Sequence, residues 1–345
     1  MNNIKVLIIE PSINFRSKLK TELQKYKNVK INSTGELKQG SDFLVYDTPD
    51  VLVISKNITE MNILKFLKKV FKYKMIATIV TGDFETDKDL ALDLIDLGVL
   101  DVVSHTLEEL LTEELLKKML KKIFATSIIN VNKEKLYKHA IINKNLENKY
   151  KSFNKNQIIA IGASTGGPLA LREIIKNLPK DMPPILIAQH MPGTFITSFS
   201  LHLDKISKIK VVEAKDNELI KAGTVYIAPG DRHLEIKRKG PNYYTALTLD
   251  EPVHFQRPAV EVLFNSFAKH VGKNAIGVIL TGMGRDGARG LLNMKKHGAY
   301  TIGQDEESSI VYGMPKEAFD IGAVKKQIPL DKIPMYLFKL TRSKY

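Results

Sequence analysis

The sequence predicts a two-domain α/β protein: a doubly wound N-terminal domain, a linker, and a C-terminal α/β domain with a mostly parallel sheet and one antiparallel hairpin. Three observations predict it. Short β-branched apolar runs recur in both halves, most of them followed by a helical pattern, which is the signature of βα units. The segment 130–157 is rich in Asn and Lys and has no sustained periodicity, so it reads as a linker. The chain has 345 residues, enough for two cores of ordinary size. The expected boundaries are 1–122, 123–156 and 157–345.

In the first domain, Ile4-Lys5-Val6-Leu7-Ile8-Ile9 reads as a buried strand ending at Glu10, with a turn at Pro11-Ser12. A basic amphipathic helix is expected from Phe15 to Tyr26. Val51-Leu52-Val53-Ile54 and Ile76-Ala77-Thr78-Ile79-Val80 are buried strands, and Val102-Val103 ends another. Leu107 to Lys122 carries Leu, Met and Ile at helical spacing and is expected to be the domain's last helix.

Composition narrows the function classes. The chain is 43% apolar and 26% charged, as soluble globular proteins are. No apolar run reaches the length of a membrane span, and Met1-Asn2-Asn3-Ile4-Lys5 lacks a signal peptide's apolar region, so a cytoplasmic protein without membrane insertion is expected. The absence of cysteine excludes disulfides, a cysteine nucleophile and thiolate metal sites. A net charge of +14 invites a nucleic-acid reading. The charge is dispersed, however: 106–156 holds eleven Lys against six Glu without aromatic interleaving or finger spacing, so no nucleic-acid partner is expected.

The second domain opens on Ile158-Ile159-Ala160-Ile161-Gly162-Ala163-Ser164-Thr165-Gly166-Gly167-Pro168, a strand, a tight turn and a helix running to about Leu178. Gly162-Ala163-Ser164-Thr165-Gly166 fits the G-x-S-x-G nucleophile elbow. A phosphate nest and a plain βα turn with a capping serine fit the same residues. Pro168 stands where a phosphate loop wants lysine, and the spacing fails the dinucleotide fingerprint. Pro184-Ile185-Leu186-Ile187-Ala188-Gln189-His190 is a buried strand with a histidine at its carboxyl end. Val225 to Ile227 is another, followed by a turn in which Asp231 and Arg232 are expected to pair, while a groove lined by Arg232 and His233 is the other reading. Leu234-Glu235-Ile236 and Tyr244 to Leu249 form the expected hairpin, and 259–270 a helix entered through His254, Arg257 and Pro258. Ala275 to Leu280 is a buried strand running into Thr281-Gly282-Met283-Gly284-Arg285-Asp286-Gly287, with a helix from about Ala288.

Ser164, His190 and Asp286 therefore each follow a strand. In open α/β sheets those ends share one edge, where ligands gather. Their types are those of acyl transfer: a hydroxyl nucleophile, an imidazole base and a carboxylate that orients it. Capping remains the alternative for Asp286. The order Ser, His, Asp differs from the Ser, Asp, His order of α/β-hydrolases.

Two resemblances attach to these residues. The first 105 residues resemble the receiver domain of bacterial response regulators, a flavodoxin-like fold, and depart from it at its chemistry. Receivers hold Mg²⁺ with paired acidic residues after the first strand, where this chain has Glu10 and Pro11. The phosphoryl-accepting aspartate falls on Ser55, and the pairing lysine is replaced by His105; only the hydroxyl at Thr81 is kept. The resemblance thus implies the fold with phosphorylation lost.

Ile161 to Pro168, Gln189-His190-Met191-Pro192, Tyr226 to His233, Leu280 to Ala288 and Gln304 to Pro315 resemble the protein-glutamate methylesterase family of bacterial chemotaxis from about Gln157 onward. That resemblance implies hydrolysis of γ-glutamyl methyl esters on methyl-accepting chemotaxis receptors, often with deamidation of receptor glutamines. It places the family's triad on Ser164, His190 and Asp286, with Thr165 and Met283 as active-site neighbours and Met283 as an oxyanion donor. It implies no cofactor and no metal. Its partners are the receptors' cytoplasmic helical region and, through the receiver, a chemotaxis kinase or adaptor. A receptor-bound scaffold with little catalysis and a nucleotide-binding module are the rival readings; neither requires all three triad residue types.

Overall fold

The structure, a computed structural model, describes residues 3–106, 108–127, 153–154 and 156–342. It divides into two compact units, 1–136 and 137–345. Most of the expected linker lies outside the described residues. No helix among them is long and apolar enough to cross a membrane.

The first unit alternates strand and helix: β1 (Ile4–Ile9), α1 (Ile13–Gln24), β2 (Val29–Thr34), α2 (Leu37–Tyr46), β3 (Val51–Ser55), α3 (Ile63–Tyr73), β4 (Ala77–Gly82), α4 (Lys88–Leu97), β5 (Asp101–Ser104) and α5 (Glu113–Ser127). The five strands are parallel in the order β2-β1-β3-β4-β5, the flavodoxin-like arrangement. Every residue of β3 and β4 is buried, as expected of central strands covered on both faces. The edge strand β2 was not expected, because Val29-Lys30-Ile31-Asn32-Ser33-Thr34 breaks its apolar run with polar residues. Ser12 sets the start of α1 by accepting the Phe15 N–H through its hydroxyl at 3.4 Å. Thr112 does the same for α5 by accepting from Leu115 at 3.3 Å, so that helix begins at Glu113 and runs to Ser127 rather than spanning 107–122.

The second unit comprises β6 (Ile158–Ala163), α6 (Gly167–Ile175), β7 (Ile185–Gln189), α7 (Gly193–Ile206), β8 (Lys210–Glu213), β9 (Thr224–Ile227), the hairpin β10 (His233–Lys239) and β11 (Asn242–Thr248), α8 (Val260–His270), β12 (Ala275–Ile279), α9 (Ala288–Lys296), β13 (Tyr300–Gln304), α10 (Met314–Asp320), β14 (Lys326–Ile328) and α11 (Ile333–Leu340). Seven strands form a parallel sheet in the order β14-β13-β12-β6-β7-β9-β8, and β10 and β11 pair antiparallel. The chain leaves β6 toward β7 on one side and returns to β12 on the other. The carboxyl ends of β6 and β12 therefore flank the point where the strand order reverses, the place where open α/β sheets bind ligands.

Helix α8 is central to this unit's core. Phe264 and Phe267 are fully buried in one apolar cluster with Leu186, Tyr226, Leu234, Ile236, Leu291 and Met294. The Ser266 hydroxyl accepts the Ile236 N–H at 3.0 Å and ties the helix to the hairpin. This packing fixes the height at which the first turn of α8 meets the sheet edge. Phe264→Ala is expected to lower the stability of this unit by about 3–5 kcal/mol in denaturant unfolding. Leu201→Ala, at a site 58% exposed, should change it by about 0.5 kcal/mol or less.

Candidate active site

Ser164 follows β6 directly, and Gly167 starts α6 three residues later. The Ser164 carbonyl accepts the Gly167 N–H at 2.7 Å, which closes the tight turn. The Ser164 N–H donates to the Thr281 carbonyl at 3.0 Å, joining the elbow to the loop after β12. Pro168 sits in the helix's first turn, where its missing N–H costs nothing.

Gly282 lets that loop lie flat against the serine. A Cβ there would stand 2.7 Å from the Ser164 Cβ and 2.3 Å from the Met314 sulfur. The contact holds Met283, the next residue and 38% exposed, next to the serine turn. The loop is pinned from behind: the Thr281 hydroxyl donates to the Thr165 carbonyl at 3.0 Å and accepts the Val311 N–H at 2.8 Å. Gln304 accepts the Thr281 N–H at 2.8 Å, and the N–H groups of Gly313 and Met314 converge on the Gly282 carbonyl.

His190 follows β7, with Ala163 and Gln189 paired in register and the His190 N–H donating to the Ala163 carbonyl at 3.1 Å. Ser164 and His190 thus emerge side by side, one residue past their paired strand ends. The imidazole Nε2 lies 2.8 Å from Oδ2 of Asp286, and both side chains are nearly buried. The other ring nitrogen, Nδ1, is buried and makes no hydrogen bond among the described residues.

The Asp286 carboxylate is seated on the N-terminus of α8. Oδ2 accepts the Val260 N–H at 2.7 Å and Oδ1 accepts that of Glu261 at 3.0 Å. Both donors belong to the helix's first turn and have no intrahelical partner, and the helix dipole favours negative charge there. Asp286 thus caps a helix, as its local setting allowed, but the helix is α8, distant in sequence, rather than α9 which follows it. The same carboxylate meets His190, so the two readings of this residue coexist.

The loop before α8 and its first turn bring other polar residues to this edge. His254 and Glu261 place ligand atoms within 4.8 Å of Asp286. The carboxylate oxygens of Asp286 are already committed to His190 and two N–H groups, so the group reads as charge compensation rather than a metal cradle. Burial pushes the Glu261 carboxyl above its ordinary range, N–H groups of Gly290 and Gly287 oppose that, and the Asp286 charge adds to it. Sequence reasoning missed Glu261, whose signal is only its place in the first turn of a predicted helix. His233 lines no groove: it is fully buried, accepting the Ala259 N–H at 3.1 Å and lying 3.2 Å from the Glu251 carbonyl. Asp231 and Arg232 are exposed, and no ion pair joins them among the described residues.

A serine elbow, an imidazole held by a carboxylate and a loop pinned against the serine thus meet at one sheet edge. The family model described as CheB methylesterase matches residues 159–337. A protein of Syntrophus aciditrophicus named protein-glutamate methylesterase/protein-glutamine glutaminase 2 is 41% identical over 335 residues, covering 96% of this chain and 98% of that one. This chain belongs to the CheB methylesterase family. A Sulfurimonas denitrificans member with the same name, without the number, is 38% identical and covers 98% of both chains. The crystal structure of the Thermotoga maritima CheB methylesterase catalytic domain is 42% identical, with a TM-score of 0.53 over 53% of this chain and 98% of that one.

In the first unit, Glu10, Ser55, Thr81 and His105 all reach the carboxyl edge of its sheet, and Pro11 lies exposed beside Glu10. Ser55 and Thr81 are register partners, and the His105 N–H donates to the Gly82 carbonyl at 3.1 Å. Asp50 lies at the opposite edge, accepting the Lys5 N–H at 2.7 Å. The Glu10 carboxylate accepts the Ser12 N–H at 2.8 Å, and the nearby Ser55 hydroxyl, which accepts the Asn57 N–H at 3.3 Å, favours its charged form. Burial nevertheless pushes its carboxyl up. Burial pushes His105 down, and its Nε2 has no partner among the described residues.

Two outcomes follow from these contacts. Asp286→Ala leaves the Val260 and Glu261 N–H groups unpaired, and Asp286→Asn must turn its NH₂ toward a donor, so each should lose about 1–3 kcal/mol in chemical unfolding. For Glu10 the folded state holds its proton to higher pH than the unfolded chain, so its contribution is present in acid and is lost as pH rises through the elevated pKa. Glu10→Gln should therefore stabilise the first unit at pH 7.5 and lose that advantage on acidification below the ordinary carboxylate range, read by hydrogen exchange of the β1 and β3 amides.

Proposed function

We propose that this chain demethylates γ-glutamyl methyl esters of chemotaxis receptors, and deamidates receptor glutamines, through Ser164, His190 and Asp286. The observation that carries the reading is the 2.8 Å bond between His190 Nε2 and Asp286 beside the Ser164 elbow, in a family whose members carry both activities in their names. The catalytic unit is assigned to 157–345, the receiver-like unit to 1–122 and the linker to 123–156.

With Nε2 given to Asp286, the free Nδ1 takes the proton of the Ser164 hydroxyl as its oxygen attacks the ester carbonyl. Asp286, itself stabilised by α8, holds the resulting imidazolium in place. Backbone N–H groups at Thr165 and Met283 receive the tetrahedral oxyanion, where a single such donor is worth about 3–4 kcal/mol. His190 returns the proton to the departing methoxide, giving methanol and an acyl-enzyme on Ser164. Water then loses a proton to the same imidazole, attacks the acyl carbon and releases the glutamate carboxylate and the serine. Deamidation follows the same path with ammonia leaving. The steps consume one water and require no cofactor.

The receptors' cytoplasmic helical region is the substrate surface, and the setting is cytoplasmic; a chemotaxis kinase or adaptor is the partner assigned to the receiver-like unit. That unit is read as phospho-silent. Ser55 cannot form an aspartyl phosphate, Pro11 supplies no carboxylate, and Glu10 is occupied by the Ser12 N–H.

Methanol release from methylated receptor membranes tests the first claim. Ser164→Ala should lose at least about 10³-fold in kcat with the protein still folded, whereas near-normal release would overturn the assignment. Beryllofluoride or a small phosphoryl donor should leave the rate of the full-length protein within about twofold, too small a change to reflect a switched equilibrium; a large stimulation lost on Ser55→Ala would overturn phospho-silence.

A further inference from the structure

We infer that Gln189 is a positioning residue that locks the nucleophile strand to the base strand; the inference rests on the reading of Ser164 and His190 just given. Backbone pairing between β6 and β7 runs to Ala163 and Gln189 and ends with the His190 N–H on the Ala163 carbonyl. Beyond that rung the two chains diverge, one into the elbow and the other toward α7. There the Gln189 side chain takes over. Its amide nitrogen donates to the Ser164 carbonyl at 3.0 Å and to the His190 carbonyl at 2.9 Å.

One buried NH₂ group therefore spends both of its donors on the backbones of the two reacting residues. The orientation of the amide is fixed by chemistry, since only its nitrogen can satisfy two carbonyls. Gln189 is 1% exposed, and its own Oε1 is buried without a hydrogen bond among the described residues. An unpaired buried acceptor is unfavourable, and a leucine would fill the same space without one. What glutamine supplies here is the pair of donors.

Gly167 makes the arrangement possible. A Cβ on it would stand 2.0 Å from the Gln189 Oε1 and 2.8 Å from the Ala163 Cβ, so the amide lies against the first residue of α6 with no room to spare. The Gln189 oxygen ends a side chain and can move, whereas the Ala163 Cβ is fixed to β6. An alanine at 167 would accordingly displace the amide and also press on the end of β6.

The test uses the full-length chain and a small fluorophosphonate, whose labelling of Ser164 reports the serine–imidazole pair without receptor binding. Wild type, Gln189→Leu, Gln189→Asn and Gly167→Ala are labelled across a pH series, and methanol release gives kcat and KM. The amide of asparagine is one methylene too short, so all three variants should lose about 10–100-fold in plateau labelling rate and in kcat, the scale expected of a misplacement near 1 Å. KM should stay within about twofold, and the pH midpoint of labelling should not move, because Asp286 still holds the ring. A structural role alone would lower the amount of active protein but not the rate per labelled site. Plateau rates within about twofold of wild type, a loss matched by the unfolded fraction, or a moved midpoint would each overturn the role of Gln189. Should Gln189→Leu fail to fold, Gln189→Asn, which keeps a buried amide at the same position, decides the question. Labelling that persists in Ser164→Ala overturns the nucleophile assignment, and this inference with it.

Discussion

The catalytic unit depends on one seat: a carboxylate held by the first turn of a helix that begins 26 residues earlier in the chain. The N–H groups of Val260 and Glu261 lack intrahelical partners, and their dipoles point at Asp286. A carboxylate that accepts those donors and still meets an imidazole is held in one orientation and aimed at the ring. The seat exists only because Phe264 and Phe267 fix α8 in the core and because β12 lies beside β6. Packing far from the sheet edge thereby sets the geometry of the His190–Asp286 pair, and with it that of the proposed proton transfer.

Around that seat the unit repeats one device, a side chain that ties the end of one strand to its neighbour's loop. Thr281 and Gln304 hold the loop before Met283, and Gln189 bridges the carbonyls that follow β6 and β7. Parallel ladders end where loops begin, so buried side-chain amides and hydroxyls must continue the pairing if the loops are to be precise. The receiver-like unit shows the opposite outcome at the same kind of edge. Glu10 turns back on the Ser12 N–H there, while Thr81 and His105 keep polar atoms buried without partners among the described residues.

Much of this was legible in the sequence, for identifiable reasons. β6, β7 and β12 are continuous apolar runs, and each of the three candidate residues follows such a run closely, so their shared edge could be read from topology alone. Edge strands were not legible: β2 mixes polar residues into its run, and β8 and β14 have only four and three residues. Helix α10, seven residues long, was equally hidden. The partner of Asp286 was invisible for a different reason. Sequence places it before α9 and suggests a local cap, whereas the donors come from α8 through tertiary packing. Gln189 appeared only as part of a motif, since nothing in a sequence tells which backbone carbonyls a buried amide will reach.

The ring orientation of His190 is the sharpest consequence of the seat. If Asp286 holds Nε2, the resting neutral imidazole carries its proton on Nε2 and presents Nδ1 to the serine. Nitrogen-15 NMR of the full-length protein, selectively labelled at histidine and assigned by His190→Gln, measures this directly. The account predicts the Nε2–H tautomer, with a downfield ring proton that disappears in Asp286→Ala. An Nδ1–H tautomer, or a ring proton indifferent to Asp286, would contradict it.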